Sequence, residues 1–171
     1  LPVSYGFDLA PNGALIGSKS ITAVKKCNNY DYWIMAILKK GTDLYFVVFS
    51  LTSSGLAYNS ERLIVNGSSG FINDSVIEIA PNGNKIFLSH GYNSVIPSRI
   101  YDFNKAEGII SSNYSIITIP TTSLPTYGQK DGVSFSPNSN FLYVSETAAK
   151  KIYQFNISKF FIYIIFFITF T

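Results

Sequence analysis

The sequence holds one histidine, one cysteine, one tryptophan and one methionine in 171 residues, and only 13% of it is charged. Each scarcity removes a class of chemistry. With a single His and a single Cys, the usual zinc ligand sets are not available from this chain. A lone Cys27 forms no intramolecular disulfide, so cysteine usage fixes no redox compartment. As a nucleophile it would need a base beside it, and no sequence relation puts His90 there; a structural thiol is expected. No Gly-rich phosphate loop and no Gly-x-Ser-x-Gly elbow occurs. Leu1-Pro2-Val3 carries no basic-then-apolar leader, and the chain is expected to be processed or a fragment. Charge of either sign is thin: thirteen basic and ten acidic side chains give a net +3. The tight basic pairs, Lys25-Lys26, Lys39-Lys40 and Lys150-Lys151, fall at the ends of expected strands, where solvated lysines discourage edge pairing. That is no basic stripe, so a nucleic-acid partner is not expected.

What is abundant is apolar. With 47% hydrophobic and 16% aromatic residues, the chain has ample surface to bury, which excludes disorder. Fourteen Phe and twelve Tyr, with many Ile, Val and Thr between Gly, Pro, Asn and Ser clusters, predict an all-β fold.

The chain also repeats itself. Val76-Ile-Glu-Ile-Ala-Pro-Asn-Gly-Asn-Lys-Ile-Phe-Leu-Ser89 returns 56 residues later as Val133-Ser-Phe-Ser-Pro-Asn-Ser-Asn-Phe-Leu-Tyr-Val-Ser145. Downstream, Arg99-Ile-Tyr-Asp-Phe-Asn104 returns as Lys151-Ile-Tyr-Gln-Phe-Asn156, at an offset of 52. Each copy reads as strand, Pro-Asn turn, strand, loop, strand, and Ser115-Ile-Ile-Thr-Ile-Pro120 supplies a fourth strand. An earlier unit reads Ile21–Lys26, Asp31–Ile37, Leu44–Leu51 and Glu61–Val65. Four antiparallel strands at a period near fifty residues make the unit of a β-propeller blade.

The expected organisation is a partial β-propeller of about three blades: 1–20 a remnant of a preceding blade or linker, 21–66 the first blade, 67–120 the second, 121–159 an incomplete third. Propellers close with four to eight blades, so missing blades of the same protein, or another copy, are expected as partners. Ten of the twelve residues 160–171 are Phe, Ile or Tyr. As a helix they would cover about 18 Å, too short to span a bilayer. An outer strand, a truncated or interfacial anchor and an artefact at a fragment's end compete here. The abrupt change of composition favours truncation or artefact, and membrane contact follows only if the tail is native.

No catalytic residue, cofactor or metal site emerges. The acidic residues lie singly on separate turns or strands, where solvated or capping roles are the ordinary ones. Three weak ligand candidates remain. Glu78 alternates with Ile77 and Ile79 on an inner strand, and its counterpart in the next repeat is Ser134. Trp33 could be a glycan-stacking platform, though core packing is the commoner role of a strand tryptophan. Asp131 lies in Tyr127-Gly-Gln-Lys-Asp-Gly-Val133, which leads into the third repeat. Four Asn-x-Ser matches, at Asn66, Asn73, Asn113 and Asn156, are what a chain this rich in Asn and Ser produces freely.

Ile21-Thr-Ala-Val-Lys-Lys-Cys-Asn-Asn-Tyr-Asp-Tyr-Trp-Ile34, followed by Leu51-Thr-Ser-Ser-Gly-Leu56, resembles a segment of large secreted proteins of gliding bacteria. In these a WD-like propeller precedes adhesin-like repeats and a type IX secretion sorting domain. Ile79-Ala-Pro-Asn-Gly83 and Phe135-Ser-Pro-Asn-Ser139 look like that family's Ser-Pro-Asp-Gly blade turn, with Asn for Asp. The resemblance spans roughly residues 15 to 158. It implies an exported, non-catalytic propeller module with a protein or glycan ligand and no catalytic residues to carry over. The expected location is therefore extracellular or at the cell surface. The alternative is a lactonase-like propeller hydrolase, which shares such turns but would be expected to bring histidines and acidic residues to the axis.

Overall fold

A computed structural model describes residues 15–66, 75–89, 97–118, 132–146, 150–158 and 163–169. They form three four-stranded antiparallel sheets. The first is β1 (Leu15–Lys25), β2 (Tyr32–Lys40), β3 (Asp43–Thr52) and β4 (Gly55–Val65). The second is β5 (Val76–Ile79), β6 (Lys85–Ser89), β7 (Ser98–Asn104) and β8 (Ile109–Ile117). The third is β9 (Gly132–Phe135), β10 (Phe141–Glu146), β11 (Lys151–Asn156) and β12 (Tyr163–Thr169). In each sheet spatial order equals chain order, so every connection within a sheet is a hairpin. The molecule is an all-β, partial β-propeller.

The sequence explains which strands sit inside. β2 and β3 are central strands with apolar residues on both faces. The wholly buried Met35, Ile37, Phe46 and Val48 pack toward the second sheet, and the equally buried Leu38 and Val47 cluster with Ala36 and Phe49 on the opposite face. β4 and β8 alternate with polar residues and lie at the outer edges. The β5–β6 turn closes with Gly83 N–H donating to Ala80 O at 2.8 Å, and the β9–β10 turn with Ser139 N–H donating to Ser136 O at 2.8 Å. Gly83 (φ 75°) and Ser139 (φ 59°) occupy the same left-handed position. Ser139 offsets its strain by accepting a hydrogen bond from Asn82 N–H at 3.1 Å across the blade boundary.

The sheets stack through two cores. Val24, Met35, Phe46, Ile64, Ile77, Ile86 and Tyr101 meet between the first and second sheets. There Phe46 and Tyr101 pack edge to face with centroids 5.0 Å apart. Phe87, Ile100, Ile117, Phe135, Leu142, Val144 and Phe155 meet between the second and third. Shortening any of these to Ala costs about 2–5 kcal/mol.

Three expectations are corrected. β1, β4 and β8 each begin six residues ahead of the expected Ile21, Glu61 and Ser115, because outer strands accept polar stretches: Ala57-Tyr-Asn-Ser60 runs along β3, and Ser111-Ser-Asn113 forms an irregularity between the paired Ile110 and Tyr114. The apolar tail is not extraneous to the sheet: Tyr163–Thr169 pairs along β11 from Asn156 to Lys151 as β12. β11 leaves a row of backbone groups that needs a partner, and β-branched and aromatic residues suit that role. Finally, the third strand slips by two residues relative to the sequence alignment of the repeats. Ile86 pairs with Tyr101, but its counterpart Leu142 pairs with Phe155, not Tyr153. The β10–β11 connection is shorter than β6–β7, and an even slip keeps every side chain on its face.

Candidate functional site

The inner strands β1, β5 and β9 lie side by side, β5 touching both of the others. Thr22 on β1 accepts a hydrogen bond from Ile79 N–H on β5 at 3.3 Å, which fixes the spacing of the first two blades near the centre.

Glu78 stands on β5 between Ile77 and Ile79, which are buried toward the first sheet. Its own side chain points to the opposite face and is partly buried. Burial alone pushes its pKa above the ordinary carboxylate value.

Trp33 is 5% exposed and serves as a bolt between two blades. Its Nε1–H donates to Lys105 O on the second sheet at 2.7 Å, and the Lys26 ammonium stands 4.0 Å from the ring centroid. Gly108, at φ 70°, closes against the six-membered ring, where a Cβ would fall 2.7 Å from Cη2 and Cζ3. No face of the indole is left for a sugar, so the glycan-platform expectation for Trp33 gives way to inter-blade packing. Asp131 lies outside the described residues.

A cleft of about 410 Å³ opens between the first two blades, beside the Pro81 turn. The first sheet contributes Lys25, Asn29 and Tyr32, the second contributes Pro81 and Lys105, and Ala23 and Ile79 give it an apolar floor. Asn29 adopts φ 63° to close the β1–β2 turn, its N–H donating to Lys26 O at 3.1 Å. Lys105 is held by Trp33 through its carbonyl, and its side-chain stem lies across Gly83, where a Cβ would sit 2.7 Å from Lys105 Cδ. Sequence reasoning missed this site. Lys25-Lys26 reads as a solvated pair at a strand end, but Lys26 turns inward to Ser50 and Trp33 while Lys25 lines the cleft.

Two further polar pairs are buried, one in the second sheet and one in the third. Ser89 Oγ and Ser98 Oγ are 3.0 Å apart. Tyr153 donates to Glu146 Oε2 at 3.0 Å; Glu146 is 3% exposed. Burial first, then the bond to Glu146 and its charge, push the Tyr153 pKa up to about 12. Among the described residues no group of three or more His, Cys, Asp or Glu side chains comes together to hold a metal ion, and no helix is long and apolar enough to cross a membrane.

No protein-family model matches the sequence, and no curated protein matches it. The chain is similar in structure to a candidate 6-phosphogluconolactonase from Bacteroides fragilis, with TM-score 0.57 and 13% identity, over 86% of this chain and 38% of that one. A candidate 6-phosphogluconolactonase from Bacteroides uniformis gives TM-score 0.48 and 15% identity, over 86% and 56%. A functionally unknown protein from Desulfotomaculum acetoxidans gives 0.49 and 10%, over 90% and 44%. The first similarity supports the propeller fold, and this chain spans 38% of that protein's length.

Proposed function

We propose that this chain is part of a β-propeller that works as a non-catalytic binding and scaffold module of a secreted or cell-surface protein. The observation that carries the reading is the cleft between the first two blades. It combines two ammonium groups, an amide and a phenol with an apolar floor, the mixture that recognition sites use. Its walls belong to two blades joined through Trp33, so the backbone frame of the cleft is set before a ligand arrives. Placement outside the cell rests on the resemblance of Ile21–Ile34 and Leu51–Leu56 to the surface propellers of gliding bacteria. The remaining blades of the same protein are the first partners.

A second reading, a lactonase-like hydrolase, has one observation in its favour. Glu78 carries a carboxyl with a raised pKa on an inner strand, a property of general bases. The experiment that separates the two monitors the purified chain with glucono-δ-lactone by pH-stat, alongside glycan and protein arrays. The module reading expects array binding and hydrolysis at the buffer rate. Turnover that Glu78→Gln abolishes would overturn it.

A further inference from the structure

We propose that the inter-blade cleft binds a small organic anion, its phosphate or carboxylate group bridging the ammonium groups of Lys25 and Lys105. The inference rests on the binding-module reading and adds the charge and size of the ligand.

Charge is the first argument. Lys40 is paired with Glu61, Lys85 with Asp102 at 2.6 Å, and Lys26 is engaged by Ser50 and the Trp33 ring. Lys25 and Lys105 have no carboxylate partner among the described residues, and none of the residues lining the cleft is acidic. Lys25 and Lys105 both line one partly enclosed volume, and an anion bound between their ammonium groups would gain two charge-assisted hydrogen bonds. Neutral donors complete the set: the Asn29 amide and the Tyr32 hydroxyl line the same cleft without a hydrogen-bonding partner among the described residues. Size is the second argument. A volume of about 410 Å³ lies at the low end for small-molecule sites and admits a phosphomonoester or sugar acid, not a folded partner. Fixed geometry is the third, since Lys105 is anchored at its carbonyl by Trp33 and braced along its stem by Gly83.

The test titrates the full chain with inorganic phosphate, glycerol 3-phosphate and acetate, at low and at physiological ionic strength. It is followed by calorimetry and by amide chemical shifts. Saturable shifts at Lys25, Asn29 and Lys105 are expected, weaker at higher salt. Affinity should fall about tenfold in Lys105→Gln and further in the double variant with Lys25→Gln. Ala23→Glu, which adds a carboxylate at an exposed position of the cleft and removes no lysine, should abolish binding while the melting curve is kept. Saturation by the two phosphates alone, or by acetate as well, supports the site and names its group. No saturable response to any of the three, or equal affinity in the double variant, overturns it. Capture of a neutral glycan that ignores all three anions overturns the anion and leaves the module reading in place. Lactone turnover with phosphate binding intact does the reverse.

Discussion

Trp33 and Glu78 act in opposite directions on stability. The Trp33 indole joins two sheets with one hydrogen bond to Lys105 O, buried among apolar neighbours. Trp33→Phe keeps most of the ring's area, removes the donor and leaves that carbonyl to find another. It should cost about 1–3 kcal/mol, seen as a lower urea midpoint at unchanged slope. Glu78 is a liability at neutral pH. Its folded pKa lies above its unfolded value because burial penalises the charged form. The folded state therefore holds its proton more tightly, and stability is lost as pH rises from the ordinary carboxylate value through the raised one. Glu78→Gln should raise the urea midpoint at pH 7, and the difference from wild type should vanish in acid, below both pKa values. An equal gain at both pH values would show that charge is not the cause.

At the scale of elements, the outer strands decide most of what the sequence hides. β12 closes β11 over six residue pairs with one irregularity between Gln154 and Phe155. Deleting residues 160–171 should therefore release the amides of β11 to fast hydrogen exchange and lower the melting temperature, with β5–β8 unaffected. Unchanged protection in β11 would show β12 to be dispensable. The inner and middle strands were legible because their apolar runs and Pro-Asn turns repeat, as at Ile86-Phe-Leu88 and Leu142-Tyr-Val144. Outer strands escape such a reading. Ser111-Ser-Asn113 has loop composition and forms an irregularity within β8, its place in the strand set by the paired Ile110 and Tyr114 on either side and by Asn113 N–H donating to Ser111 Oγ. The cleft was illegible for a related reason. Lys25 and Lys105 are 80 residues apart in sequence, and only the packing of β1 on β5 brings them to one cleft. Glu78 could be singled out, since alternation on a short strand states its face.

At the scale of the molecule, the repeat sets the third blade's outward face beside that of the second. Register places Tyr143 where the second blade has Phe87, and Ile168 where it has Ile117. Phe87 and Ile117 are 0% and 3% exposed because the third blade covers them. Tyr143 and Ile168 are 36% and 43% exposed. The same two positions thus carry large apolar side chains in both blades, covered in the second and exposed in the third. We propose a like blade as the occupant of the third blade's outward face, since a blade buries such a face only against a like neighbour. Alone in solution, the chain should use a second copy as substitute. Sedimentation velocity should show association that grows with concentration, and Tyr143→Glu with Ile168→Glu should return it to monomer without shifting the melting temperature, since both side chains are exposed. A monomer at every concentration would mean that this face is satisfied as it stands, and the case for a following blade would fall with it.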